Sequence, residues 1–160
     1  MFPRVLASLA SEVADLDEPA FVRKYPDAWL IWENRLGERS TLPQFTMAMG
    51  GEGGGKPRNE FEPAAYRLLG SIKMLTIGRN GDGILINDST VSDQHLVLQQ
   101  VPGGGWTVSD AGSKNGTKVD GQQLAPDTPH PLKSGAQIQI GAVKLTFLSA
   151  AELFRRVTAV

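Results

Sequence analysis

The chain of 160 residues contains no cysteine, which rules out a disulfide framework and any thiolate metal site. Net charge is nearly absent too. Sixteen Lys and Arg against seventeen Asp and Glu leave −1 at pH 7, without the concentrated basic face that nucleic-acid binders carry. Nucleic acid is therefore set aside as a partner. Histidine is scarce, with only His95 and His130, so neither a metal nor an acid–base cluster has many members to draw on. The opening "MFPRVLASLASEVADLDEP" has a single Arg followed by acids, and serines interrupt its apolar residues. That fits neither a secretory signal nor a membrane span, so a cytoplasmic protein with no membrane partner is expected.

Turn formers, by contrast, are plentiful: eighteen glycines and ten prolines favour short strands over long helices. Composition divides the chain into an extension (1–49), a Gly-rich linker (50–62), a β-rich domain (63–150) and a tail (151–160). In the extension, Val5, Leu6, Leu9, Val13 and Leu16 recur at helical spacing. Asp17 is placed to cap a second helix starting at Glu18-Pro19, which would carry Phe21 and Val22 inward. "DAWLIWENRL" follows, with Trp29, Leu30, Ile31 and Trp32 too apolar for open solvent. A small helical or mixed unit, or a flap packed on the rest, is expected there. From about Ala64 the pattern turns to β, with strict alternation in "AQIQIG" and "VKLTF". Turn signals separate the strands at "NGDG", "PGGG", "NG" and "DG", and Asp120-Gly121 is the clearest two-residue hairpin. A mainly β fold, preferably a sandwich, follows. "SAAELFRRV" reads as a short C-terminal helix capped by Ser149, with Leu153, Phe154 and Val157 inward.

Two stretches invite a catalytic or nucleotide reading. "GGEGGGKPRNE" nearly spells a phosphate-binding P-loop from Gly50 to Lys56, but Pro57 stands where a Ser or Thr hydroxyl should meet magnesium. It reads as a linker. "STVSDQH", Ser89 to His95, sets a serine, an aspartate and a histidine close together. His95 opens an alternating strand, where an imidazole bonded to loop backbone is the plainer reading than a general base. His130, in "TPHPL", reads as an exposed loop residue. No nucleophile, base and orienting group can be assembled, so an enzyme is not expected. Phosphate binding fits better. Arg79 closes a strand, Ser92 sits in a loop before another, and "GSKNGT" adds Lys114, Asn115 and Thr117. A guanidinium fork with hydroxyl and amide donors is what a phosphate monoester requires.

The blocks "TIGR", "ILINDSTVSDQH", "WTVSDAGSKNGTKVDGQQL" and "LKSGAQIQIG" together resemble the forkhead-associated (FHA) domain over roughly residues 64–150. That resemblance implies a β-sandwich of about eleven short strands whose loops at one end bind phosphothreonine peptides. It also implies no cofactor and no metal. Carried over by position, Arg79 and Ser92 hold the phosphate, Lys114 touches it, and Asn115 bonds the peptide backbone. His95 braces the loops, Gly78 permits close packing beside Arg79, and Gly116 and Thr117 shape their own loop. Thr90 lies where the family reads a residue beyond the phosphothreonine. Asp93 departs from the pattern, standing where a cation or amide is usual. A carboxylate there repels a phosphate of charge about −1.5 to −2 by ~1 kcal/mol if solvent-screened, unless Lys114 offsets it. Alternatively it pairs with Lys114 or Arg79. The expected function is a phosphothreonine-binding signalling adaptor of bacterial type, its partner a threonine-phosphorylated protein linked to a Ser/Thr kinase or a secretion system. The competing reading is a phosphate-independent interaction scaffold that uses the N-terminal extension, motivated by Trp29 and Trp32.

Overall fold

Alternation sets the sheets, beginning with the strands that show it most clearly. β11 (Ala136–Ile140) and β12 (Val143–Leu148) pair antiparallel, with Ile138 opposite Leu145, so their apolar residues share one face. The structure, a computed structural model, describes residues 3–35, 62–80 and 83–158. Linker residues 50–61, and with them the near P-loop, lie outside the described residues, as does part of the "NGDG" turn.

Twelve strands are seen among the described residues. The others are β1 (Arg4–Val5), β2 (Ala28–Trp32), β3 (Ala64–Leu68), β4 (Met74–Gly78), β5 (Ile84–Leu85) and β6 (Leu96–Gln100). β7 (Trp106–Asp110), β8 (Thr117–Val119), β9 (Gln122–Gln123) and β10 (His130–Leu132) complete the set. One sheet runs β1-β3-β2-β12-β11-β8-β9 and the other β10-β7-β6-β4-β5. Their inner faces enclose a core that includes Tyr66, Ile77, Leu96, Leu98, Val108, Ile138 and Leu145, the sandwich that the alternation predicts. Asp120 and Gly121 both take positive φ, 51° and 84°, the two left-handed residues a type I′ hairpin between β8 and β9 requires.

His130 lies in a strand rather than in the loop expected from its flanking prolines. β10 is an edge strand, the place in a sheet where the missing N–H of Pro131 leaves the ladder intact.

The N-terminal residues do not form a unit apart from the sandwich. β2 lies between β3 and β12, pairing Leu30 with Tyr66 on one side and Phe147 on the other. Its alternation is two-sided: Leu30 enters the sandwich core, while Trp29 and Ile31 point outward beneath helices. Those helices are α1 (Leu6–Glu12), α2 (Glu18–Lys24) and α3 (Ala150–Thr158). Asp17 caps α2 as its position predicts, its carboxylate accepting from Ala20 N–H at 2.9 Å. Ser149 likewise accepts from Glu152 N–H at 3.3 Å at the start of α3. Leu9, Phe21, Trp29 and Leu153 are fully buried in this second core, each contributing roughly 1.5–3 kcal/mol. Arg156 grips Glu33 through both terminal nitrogens, and Glu33 also accepts from Thr146, locking α3 to the sheet. Trp29 is therefore core, and Trp32 packs partly buried against the sandwich interior. Among the described residues no helix is long and apolar enough to cross a membrane.

Candidate functional site

Three connections meet at one end of the sandwich: the residues after β4, the β5–β6 loop and the β7–β8 loop. Gly78 begins the assembly. A Cβ there would lie 2.1 Å from the Asp93 carbonyl oxygen and 2.9 Å from that of Ser92, so only glycine lets the two backbones approach. The approach is then fastened by Arg79 N–H donating to Ser92 C=O and Asn80 N–H to Asp93 C=O, both at 3.1 Å. Arg79 and Ser92 are thus adjacent.

Ser92 joins the third loop. Its Oγ accepts from Lys114 N–H at 3.0 Å, which leaves the hydroxyl hydrogen free to turn outward. Asn115 spans the same gap, its Nδ2 donating to Thr90 C=O at 2.7 Å. Arg79, Ser92, Lys114 and Asn115 are therefore brought to one surface by loops distant in sequence, with Arg79, Lys114 and Asn115 exposed.

His95 is fully buried beneath them. Nδ1 accepts from Ser92 N–H at 3.0 Å and Nε2 donates to Gly116 C=O at 2.8 Å, so one ring ties two of the loops. The loop bends enough to bring His95 back under Ser92, although extended backbone alone would face them apart. The imidazole meets the serine's amide, not its hydroxyl, and Asp93 faces away toward Arg79. The heptad is no catalytic trio: both ring nitrogens are committed to backbone.

Thr90 is similarly occupied. Its Oγ1 donates to Asp88 at 2.5 Å and accepts from Ala142 N–H at 2.8 Å, anchoring the β5–β6 loop to the β11–β12 turn. Its hydroxyl is thus engaged by the scaffold. Gly116 takes φ 78°, and Thr117 is buried with its hydroxyl on Asp110 at 2.7 Å.

Asp110 is the residue that sequence reasoning missed. Its carboxylate accepts from the amides of Gly112 (3.0 Å) and Ser113 (3.1 Å) and from the hydroxyls of Ser113 (2.5 Å) and Thr117 (2.7 Å). Burial pushes its carboxyl up, but these four hydrogen bonds outweigh burial and hold it below the usual carboxylate value. The available signal is local: an Asp followed by Gly and Ser two and three residues on is the pattern of an Asx turn. Asp93 is also placed. Its Oδ1 lies 3.7 Å from an Arg79 terminal nitrogen, and among the described residues Arg79, not Lys114, is its partner.

Residues 75–141, which carry all three loops, match the FHA domain family model. This region is an FHA domain. The oxoglutarate dehydrogenase inhibitor of Corynebacterium jeikeium is 34% identical over 90 residues, covering 56% of this chain and 60% of that protein. The glycogen accumulation regulator GarA of Mycolicibacterium smegmatis is 36% identical over 87 residues, 54% of this chain and 52% of its own length. The chain spans between 10% and 60% of the length of these and the other curated relatives it is compared with. The crystal structure of the FHA domain of CT664 from Chlamydia trachomatis shares the fold. Its TM-score is 0.52 at 18% identity, over 76% of this chain and 97% of that one.

Proposed function

We propose that the loop end of this FHA domain binds a threonine-phosphorylated peptide, making the protein a signalling adaptor rather than a catalyst. The reading is carried by the convergence just described: a single hydrogen-bonded chain runs from Arg79 through Ser92 to Lys114. In it Arg79 supplies the guanidinium fork for the phosphate, Ser92 the hydroxyl donor and Lys114 a mobile positive charge. Asn115, already bonding a loop carbonyl, offers its side-chain amide to the peptide backbone. Gly78, His95, Asp110, Gly116 and Thr117 hold these groups in place without touching the ligand. The names of the bacterial relatives, an inhibitor and a regulator, support a role exercised by binding. A phosphothreonine partner requires a Ser/Thr kinase upstream, which supports a cytoplasmic setting. The alternative scaffold loses its motive, since Trp29 and Trp32 are used inside the chain.

The test is fluorescence anisotropy with a phosphothreonine peptide library and its unphosphorylated counterpart. Arg79→Ala removes charge-assisted bonds of ~2–3 kcal/mol, so affinity should fall roughly 30-fold or more. Binding that ignores the phosphate, or survives the substitution, would reject the reading.

A further inference from the structure

We propose that Asp93 makes this surface select phosphothreonine peptides that carry a basic residue close to the phosphothreonine. The inference rests on the phosphopeptide reading above and adds the ligand's flanking charge to it. Asp93 cannot withdraw from the site. Its own carbonyl is held by Asn80 N–H and the preceding carbonyl by Arg79 N–H, both at 3.1 Å, and Gly78 leaves the strand and loop in backbone contact. Its backbone is therefore fixed, and its carboxylate keeps a negative charge at the edge of the phosphate-binding group.

The pairing with Arg79 is loose. At 3.7 Å, with the Arg79 and Asp93 side chains 43% and 62% exposed, it is a Coulombic contact rather than a directed hydrogen bond. The guanidinium can turn to an arriving phosphate by side-chain rotation alone. Asp93 has a far shorter side chain on a backbone held by those two hydrogen bonds, so its carboxylate stays within a few ångströms of the site. When the phosphate takes Arg79, the carboxylate is left beside the site, solvent-facing and without its cation. A lysine or arginine beside the phosphothreonine gains what Arg79 gave up, and a glutamate or aspartate there is repelled. Lys114 adds a positive charge from the facing loop, so the quantity that isolates Asp93 is the change in flanking preference when its charge is removed.

The experiment uses the full chain as wild type, Asp93→Asn and Arg79→Ala. Probes are nonapeptides with a central phosphothreonine on an alanine background, with a lysine or a glutamate placed in turn at each of the two positions on either side. Anisotropy at low salt gives a lysine-to-glutamate affinity ratio at each position. In the wild type at least one position should favour lysine by about 5-fold, the scale of one screened charge contact made against one opposed. Asp93→Asn should shrink that ratio at least threefold, and high salt should shrink it in the wild type. Ratios that match between wild type and Asp93→Asn at every position would overturn the role of Asp93 while leaving phosphopeptide binding intact. If the phosphorylated peptides bind no better than unphosphorylated ones and Arg79→Ala changes nothing, both readings fall together.

Discussion

Replacing Gly78 by alanine tests whether the binding surface depends on a backbone contact rather than on its side chains. The added Cβ would sit 2.1 Å from the Asp93 carbonyl oxygen and 2.7 Å from its carbon, where ordinary contact begins near 3.4 Å. The opposing atoms are backbone, so no rotamer change relieves the overlap; β4 and the β5–β6 loop must part by over an ångström. Parting breaks Arg79 N–H···O=C Ser92 and Asn80 N–H···O=C Asp93, worth about 1 kcal/mol each, and overpacking adds ~1–3 kcal/mol. A loss of about 3–5 kcal/mol in urea denaturation, or roughly 6–20 °C in Tm, is expected. Phosphopeptide affinity should fall more than 10-fold even under conditions where the variant is folded, since Ser92 moves relative to Arg79 and binding responds steeply to ångström displacements. Gly70→Ala is the control, because its Cβ would meet only the Asp27 carboxylate at 3.4 Å, and a change within about 0.5 kcal/mol is expected. A Gly78→Ala protein with wild-type midpoint and wild-type affinity would refute the reasoning.

Two further perturbations address the supports below the surface. Asp110→Ala strips the acceptor from four donors and should cost ~3 kcal/mol, with amide exchange accelerated at Gly112 and Ser113. Because the folded carboxyl lies below its unfolded value, its stabilisation is complete above roughly pH 4 and disappears as pH falls through the lower folded value. Glu33 acts in the same direction: burial opposes ionisation, but hydrogen bonds and charge from Arg156, with a further bond from Thr146, keep its carboxyl low. Acid titration followed by NMR should therefore leave the Gly112 and Ser113 resonances native at pH 4 and lose them below, with a smaller stability drop in Asp110→Ala. His95→Ala removes a link between two loops at a fully buried position, so it should lower both Tm and phosphopeptide affinity. Unchanged stability with loss of some hydrolytic turnover would instead restore a catalytic histidine.

The sandwich was readable wherever one face of a strand meets the core and the other meets water. Ile138 and Ile140 against Gln137 and Gln139 show it, as does the left-handed pair at Asp120-Gly121. β2 was not readable as a strand because Trp29 and Ile31 face a helical layer while Leu30 faces the sandwich, so no polar alternation remains. The helices over it were legible from spacing and from Asp17, but the sheet they cover was not. At the site, motif order points to Arg79, Ser92 and Asn115, and the crowding of strand and loop explains Gly78. Thr90 and Asp110 lie beyond that reach: what they do depends on Ala142 and Thr117, partners that only the closed fold supplies.

The central place of β2 also bears on how the chain can be made and cut. The ribosome delivers β2 early and β12 last among the strands, and β12 is what joins β2 and β3 to β11. The larger sheet therefore closes only once β12 has been made, leaving the early strand to wait for its neighbour. The same order governs excision. A fragment cut to the family-matched residues 75–141 would lack β2, β3 and β12, and β11 would keep an open ladder edge ready to recruit another chain. The three loops of the candidate site lie within a stretch of sequence that cannot, by its own strands, keep the sheet beneath them closed.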